Sequence, residues 1–85
     1  MSRELTDELL SVEIFSLCME PMTIEEVCNK IYKNMYSKNL VRCYQAITIM
    51  MKRGILIPKF LNKQIYFQVD EKIRGGNNDE QKRNK

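Results

Sequence analysis

Leu5, Leu9, Leu10, Val12, Ile14, Phe15, Leu17 and Cys18 recur at helical intervals and predict a first helix over residues 5 to 19 with a broad apolar surface. Glu4, Asp7 and Glu8 stand near its start, where acids suit the helix dipole. Pro21 then disfavours helical geometry in the residue before it, so Met19-Glu20-Pro21-Met22 is a break. Thr23-Ile24-Glu25-Glu26 has the spacing of a capping box and opens a second helix of about ten residues that buries Ile24, Val27, Cys28 and Ile31. Asn34-Met35-Tyr36-Ser37 reads as a turn, after which Ser37 or Asn39 can cap a third helix running to about Arg53 and stopped by Gly54. Leu40, Cys43, Ile47, Met50 and Met51 form its buried stripe. From Ile55 the period changes to two: Ile55-Leu56-Ile57 and Ile65 to Val69 predict a hairpin around Leu61-Asn62-Lys63, with Pro58 on an outer edge or at a bulge. The fold class is therefore α+β, with three helices followed by a C-terminal two-stranded hairpin.

With 44% hydrophobic and 29% charged residues, the 85-residue chain has room for one small globular domain, residues 1 to 72. The stretch 73 to 85 is polar almost throughout and predicts a disordered tail. No segment has the length and apolarity of a membrane span, and the N-terminus lacks a basic-then-apolar leader, so a soluble cytoplasmic protein is expected. Three widely spaced cysteines without a histidine argue against structural zinc, and no cofactor or small-molecule effector is evident. Cys18, Cys28 and Cys43 fall in apolar stripes and read as core residues; Cys18, at a helix end, could alternatively bridge two subunits. With no histidine and its acids confined to the first 26 residues and to residues 70 to 85, the chain offers no base for Ser37 or a cysteine, and it does not read as an enzyme.

Charge changes the picture. Between Val27 and Val69 there is no acid, but there are eight bases: Lys30, Lys33, Lys38, Arg42, Lys52, Arg53, Lys59 and Lys63. Residues 1 to 26 carry a net −6, so the overall +3 conceals a segregated molecule. A nucleic acid backbone is the commonest partner for such a basic face. Opposite the apolar stripe of the third helix lie Lys38, Val41, Arg42, Gln45, Thr48, Ile49 and Lys52. In a major groove arginine can pair with guanine, glutamine with adenine, and an apolar group can touch a thymine methyl. Ser37, Lys38 and Asn39 at the helix start suit phosphates.

Cys43-Tyr44-Gln45-Ala46-Ile47-Thr48-Ile49-Met50-Met51-Lys52-Arg53-Gly54-Ile55-Leu56 resembles the recognition helix of the winged helix-turn-helix domain leading into its wing. Met22-Thr23-Ile24-Glu25-Glu26-Val27 resembles the opening of that family's second helix, and the likeness covers roughly residues 5 to 70. The resemblance implies a recognition helix in the major groove and a hairpin wing on the flanking minor groove or backbone. By position, it implies base reading by Lys38, Val41, Arg42 and Gln45. Backbone contacts would come from Ser37, Asn39, Lys52, Lys59, Asn62, Lys63 and Gln64. The family often dimerises through its first helix, and here Leu5, Leu9, Leu10 and Ile14 are the candidate dimer surface.

These features together predict a sequence-selective double-stranded DNA-binding protein, a homodimeric transcriptional regulator. The frequency of Asn, Lys, Ile, Met and Tyr suggests an AT-rich genome, viral or archaeal. The rival expectation is a winged helix used as a protein-interaction subunit of a transcription, replication or assembly complex, with Val41, Ile49, Phe60 and Leu61 as its contact surface.

Overall fold

Helix α1 spans Asp7–Leu17 and is shorter at both ends than the sequence predicts. Its cap is Thr6, whose Oγ1 accepts a hydrogen bond from the Leu9 amide at 3.1 Å. Leu5 and Leu10 then occupy the N′ and N4 positions of a hydrophobic staple, and both are buried. The computed structural model describes residues 5–74, so this cap stands at the start of what is described.

Helix α2 is Ile24–Tyr32. Its capping box is formed in both directions, Glu26 N to Thr23 Oγ1 at 3.2 Å and Thr23 N to Glu26 Oε1 at 2.9 Å. It ends at Lys33, in the left-handed region at φ 64°. Helix α3, Ser37–Lys52, is capped by neither Ser37 nor Asn39: Tyr36 holds the cap position without a side-chain bond. Asn34 organises the turn before it. Its amide donates to the Tyr32 carbonyl, and its Oδ1 accepts from the Tyr36 amide at 3.1 Å and from Asn39 Nδ2 at 2.8 Å. At the far end Gly54, at φ 76°, closes a Schellman motif, with Gly54 N bonded to the Met51 carbonyl and Ile55 N to that of Met50.

Strands β1, Leu56–Leu61, and β2, Gln64–Val69, are longer than predicted and meet through a two-residue turn. Asn62 and Lys63 both have positive φ, 52° and 65°, as a type I′ turn requires. Lys63 adopts this geometry where glycine is the usual choice, so composition alone pointed to a longer connection. Pro58 pairs with Phe67, whose N–H and C=O are both bonded to Met22 on the other side of β2. The pair therefore has no ladder bonds, and the missing proline amide costs nothing there. Val69 N also reaches the Cys18 carbonyl at 2.8 Å, so the α1–α2 link lies along β2 and fixes the hairpin base to the helices. A last turn, α4, spans Glu71–Arg74 and carries helical structure two residues past the expected domain limit at 72; the rest of the polar tail lies outside the described residues.

The core joins Leu10, Ile14 and Cys18 of the α1 segment to Val27, Cys28 and Ile31 of α2 and to Cys43, Ile47 and Met50 of α3. Leu56, Phe67 and Val69 close it from the hairpin. This overturns most of the expected dimer surface: Leu5, Leu10 and Ile14 are 7%, 1% and 0% exposed within one chain, and only Leu9 of the four stands in solvent. Helix α1 is apolar nearly all round, and packing against α2 and α3 selected the side that the sequence had left for a partner. No helix among the described residues is long and apolar enough to cross a membrane.

Candidate nucleic-acid interface

With Cys43, Ile47 and Met50 inward and successive residues about 100° apart, the outermost line of α3 is Lys38, Val41, Gln45, Thr48 and Lys52. Lys38, Val41, Gln45 and Lys52 are exposed. The Thr48 hydroxyl donates back to the Tyr44 carbonyl at 2.8 Å, so its proton is engaged within the helix. At the start of the helix no side chain caps the first amides, and exposed Ser37 and Lys38 stand beside them, an arrangement suited to an anion.

Two candidates are not free for this surface. Arg42 turns sideways to α1, where Nη2 donates to the Leu5 carbonyl at 2.9 Å and to Asp7 Oδ1 at 3.1 Å. Its guanidinium is a tether between α3 and the entry to α1, not an open reading group. Asn39 is half-buried and its amide is engaged by Asn34, so it belongs to the turn instead of the phosphate contacts.

On the hairpin, Lys59, Asn62, Lys63 and Gln64 are all exposed; the Gln64 side chain accepts from the Tyr66 hydroxyl at 2.9 Å. No carboxylate among the described residues pairs with Lys38, Lys52, Lys59 or Lys63. The acids Asp7, Glu8, Glu25 and Glu26 lie instead in the first turns of α1 and α2, and α2 carries its base, Lys30, in its last turn. Tyr36, next to Ser37, and Tyr44, two turns further along the same flank of α3, are 65% and 55% exposed and add hydroxyls able to donate to phosphate. Sequence periodicity gave no reason to single them out.

The hairpin face also carries apolar groups. Phe60 and Leu61 are 76% and 56% exposed, and Ile65, paired directly opposite Phe60, is 42% exposed. Ile49 stands half-exposed on α3.

The three cysteines are fully buried, which removes the alternative of a Cys18 bridge between subunits. Burial pushes the Cys18 thiol up to about 11 and Cys43 to about 12, and it raises Cys28 as well. Cys28 donates to the Asn34 carbonyl at 3.2 Å and is hydrogen-bonded by Cys43, so both thiols serve the α2–α3 contact as protonated groups. Among the described residues no cluster of His, Cys, Asp and Glu could hold a metal ion. A cleft of about 200 Å³ between Ile57, Lys59, Gln68 and Asp70 lies at the hairpin base, smaller than the pockets of about 300 to 1,000 Å³ that enclose drug-sized ligands. No family model, curated protein or solved structure matches the chain.

Proposed function

We propose that the chain is a winged helix-type, sequence-selective double-stranded DNA-binding protein that regulates transcription from the cytoplasm. In this reading α3 lies in the major groove and the hairpin rests on flanking backbone or minor groove. The observation that carries it is the outward line of α3, in which Lys38 and Lys52 bracket Val41, Gln45 and Thr48 and meet no acid among the described residues. Phosphate-binding ends with mixed hydrogen-bonding and apolar groups between them suit an element that reads base edges. Lys59 and Lys63 extend the basic character along the hairpin. Gln45 and Val41 are the readers, Lys38 reaches base or phosphate, and Ser37, Lys52, Lys59, Asn62 and Lys63 position the backbone.

The test is binding of labelled genomic fragments, followed by anisotropy as salt is varied. Log K should fall with log salt at a slope of about −0.9 per phosphate neutralised. Gln45→Ala should cost about 1 to 3 kcal/mol on the preferred site and flatten its preference, whereas Lys63→Ala should weaken all sequences alike and reduce the slope by roughly one unit. Affinity insensitive to salt, or no affinity for duplex DNA, refutes the reading.

A second reading, a protein-interaction subunit, draws on the exposed Phe60, Leu61 and Ile65. Three apolar side chains at the end of a hairpin are poor ligands for phosphate and more often mark a protein contact.

A further inference from the structure

The hairpin has an apolar face that its own helices do not cover. Its pairs alternate, and Leu56–Val69, Pro58–Phe67 and Phe60–Ile65 share one side. Leu56, Val69 and Phe67 are buried against the body, but the next pair along that face extends past it, leaving Phe60 76% and Ile65 42% exposed. Lys63 stands in the turn just beyond this pair, while Lys59, paired with Tyr66, lies on the other side of the hairpin. A complementary patch lies on α1, where Leu9 and Val12, one turn apart, are 52% and 64% exposed with Glu8 and Glu13 beside them.

We propose that these two patches belong to one contact: the hairpin of each chain docks Phe60 and Ile65 on Leu9 and Val12 of a second copy, in a head-to-tail arrangement. Charge decides against the symmetric alternatives. An α1–α1 contact joins two acidic rims and a hairpin–hairpin contact joins two basic ones; pairing one of each surrounds the apolar centre with opposite charges. Such a contact is heterologous: unless its rotation closes a ring, the assembly as a whole keeps one unused hairpin and one unused α1 patch at its two ends, and it grows with concentration. It does not depend on what α3 binds.

The test uses two full-length variants altered only at exposed positions. One lacks the hairpin patch, Phe60→Ser with Ile65→Thr; the other lacks the α1 patch, Leu9→Ser with Val12→Ser. By sedimentation velocity without nucleic acid, the wild-type mass should rise above 10.1 kDa with concentration and pass the dimer. Each variant alone should remain a monomer. Their equimolar mixture should form a 1:1 dimer and nothing larger, because one hairpin and one α1 patch survive between them. Charge reversal gives a second route: Lys63→Glu and Glu8→Lys should each weaken assembly several-fold, and their combination in one chain should restore it. A hairpin variant that dimerises alone overturns the proposal in favour of α1–α1 pairing, and an α1 variant that dimerises alone overturns it in favour of paired hairpins. A wild type monomeric at every attainable concentration also overturns it. If that monomer loses duplex binding on Phe60→Ser, the hairpin patch is a wedge for bases instead.

Discussion

Replacing Arg42 by alanine tests whether this side chain holds the fold or reads a ligand. Its Nη2 makes two contacts of unequal worth, to the Leu5 carbonyl and to the Asp7 carboxylate. Asp7 is 97% exposed, so that arm is a surface ion pair worth about 0.5 kcal/mol or less. The carbonyl arm is a charge-assisted bond to the residue that enters α1, in a part-buried setting, and its loss costs about 1 to 2 kcal/mol. Leu5 itself is 7% exposed, and any loosening of this entry also releases part of the roughly 1.5 to 3 kcal/mol that its burial contributes.

Arg42→Ala should therefore lower the urea midpoint by the equivalent of about 1 to 2 kcal/mol without changing the slope of the transition. A double-mutant cycle with Asp7→Asn should give a coupling below about 0.5 kcal/mol, since it removes the effect of Asp7 on the helix dipole from the comparison. Arg42→Lys should fall between, because an ammonium keeps the charge and loses the fork. An unchanged midpoint with loss of DNA sequence preference would refute the tether, by showing that Arg42 leaves α1 and enters the groove.

Two further outcomes follow from burial. Ile14→Glu should unfold the chain instead of giving a folded monomer, because Ile14 has no exposed surface and the introduced carboxylate meets no partner there; a retained helical circular-dichroism spectrum would contradict this. Stability should also fall in alkali. The unfolded thiols ionise near 9.0, whereas folded Cys18 and Cys43 hold their protons to about 11 and 12, so the folded state binds more protons in that interval. Their contribution is whole below pH 9 and is lost from pH 9 to 11 for Cys18 and on to about 12 for Cys43, by up to about 1.4 kcal/mol per pH unit for each thiol. Thermal midpoints from pH 8 to 11 should decline less steeply in Cys18→Ala than in the wild type, and equal slopes would refute this.

The parts of the fold legible in the sequence are those whose causes lie within about four residues of one another. The Thr23–Glu26 box, the Gly54 stop and the Cys43–Ile47–Met50 stripe each depend on neighbours one helical turn away, and each formed as read. Helix α1 was not legible in the same way. With Leu9, Leu10, Val12, Ile14 and Phe15 spread round its circumference, periodicity could not say which side α2 and α3 would cover. The tight turn was hidden for another reason, since Asn62-Lys63 lacks the glycine that usually announces two successive positive φ angles.

On α3 the limit is sharper, because Lys38 and Arg42 lie one helical turn apart and carry the same charge. Local sequence ranks them equally as reading groups. What separates them is a contact spanning 35 residues to Asp7 and 37 to the Leu5 carbonyl, which exists only once α1 has packed. The charge segregation that made α3 a candidate interface favours this outcome: acids lie at the start of α1, and the base on α3 that packing brings beside them is drawn into a tether. The same packing leaves Lys38, Gln45 and Lys52 on the outward line, and neither lysine meets an acid among the described residues. Binding specificity should therefore respond to Lys38 and Gln45 before Arg42, and at Arg42 a change in specificity unaccompanied by a change in stability would mean that α1 is not docked as described.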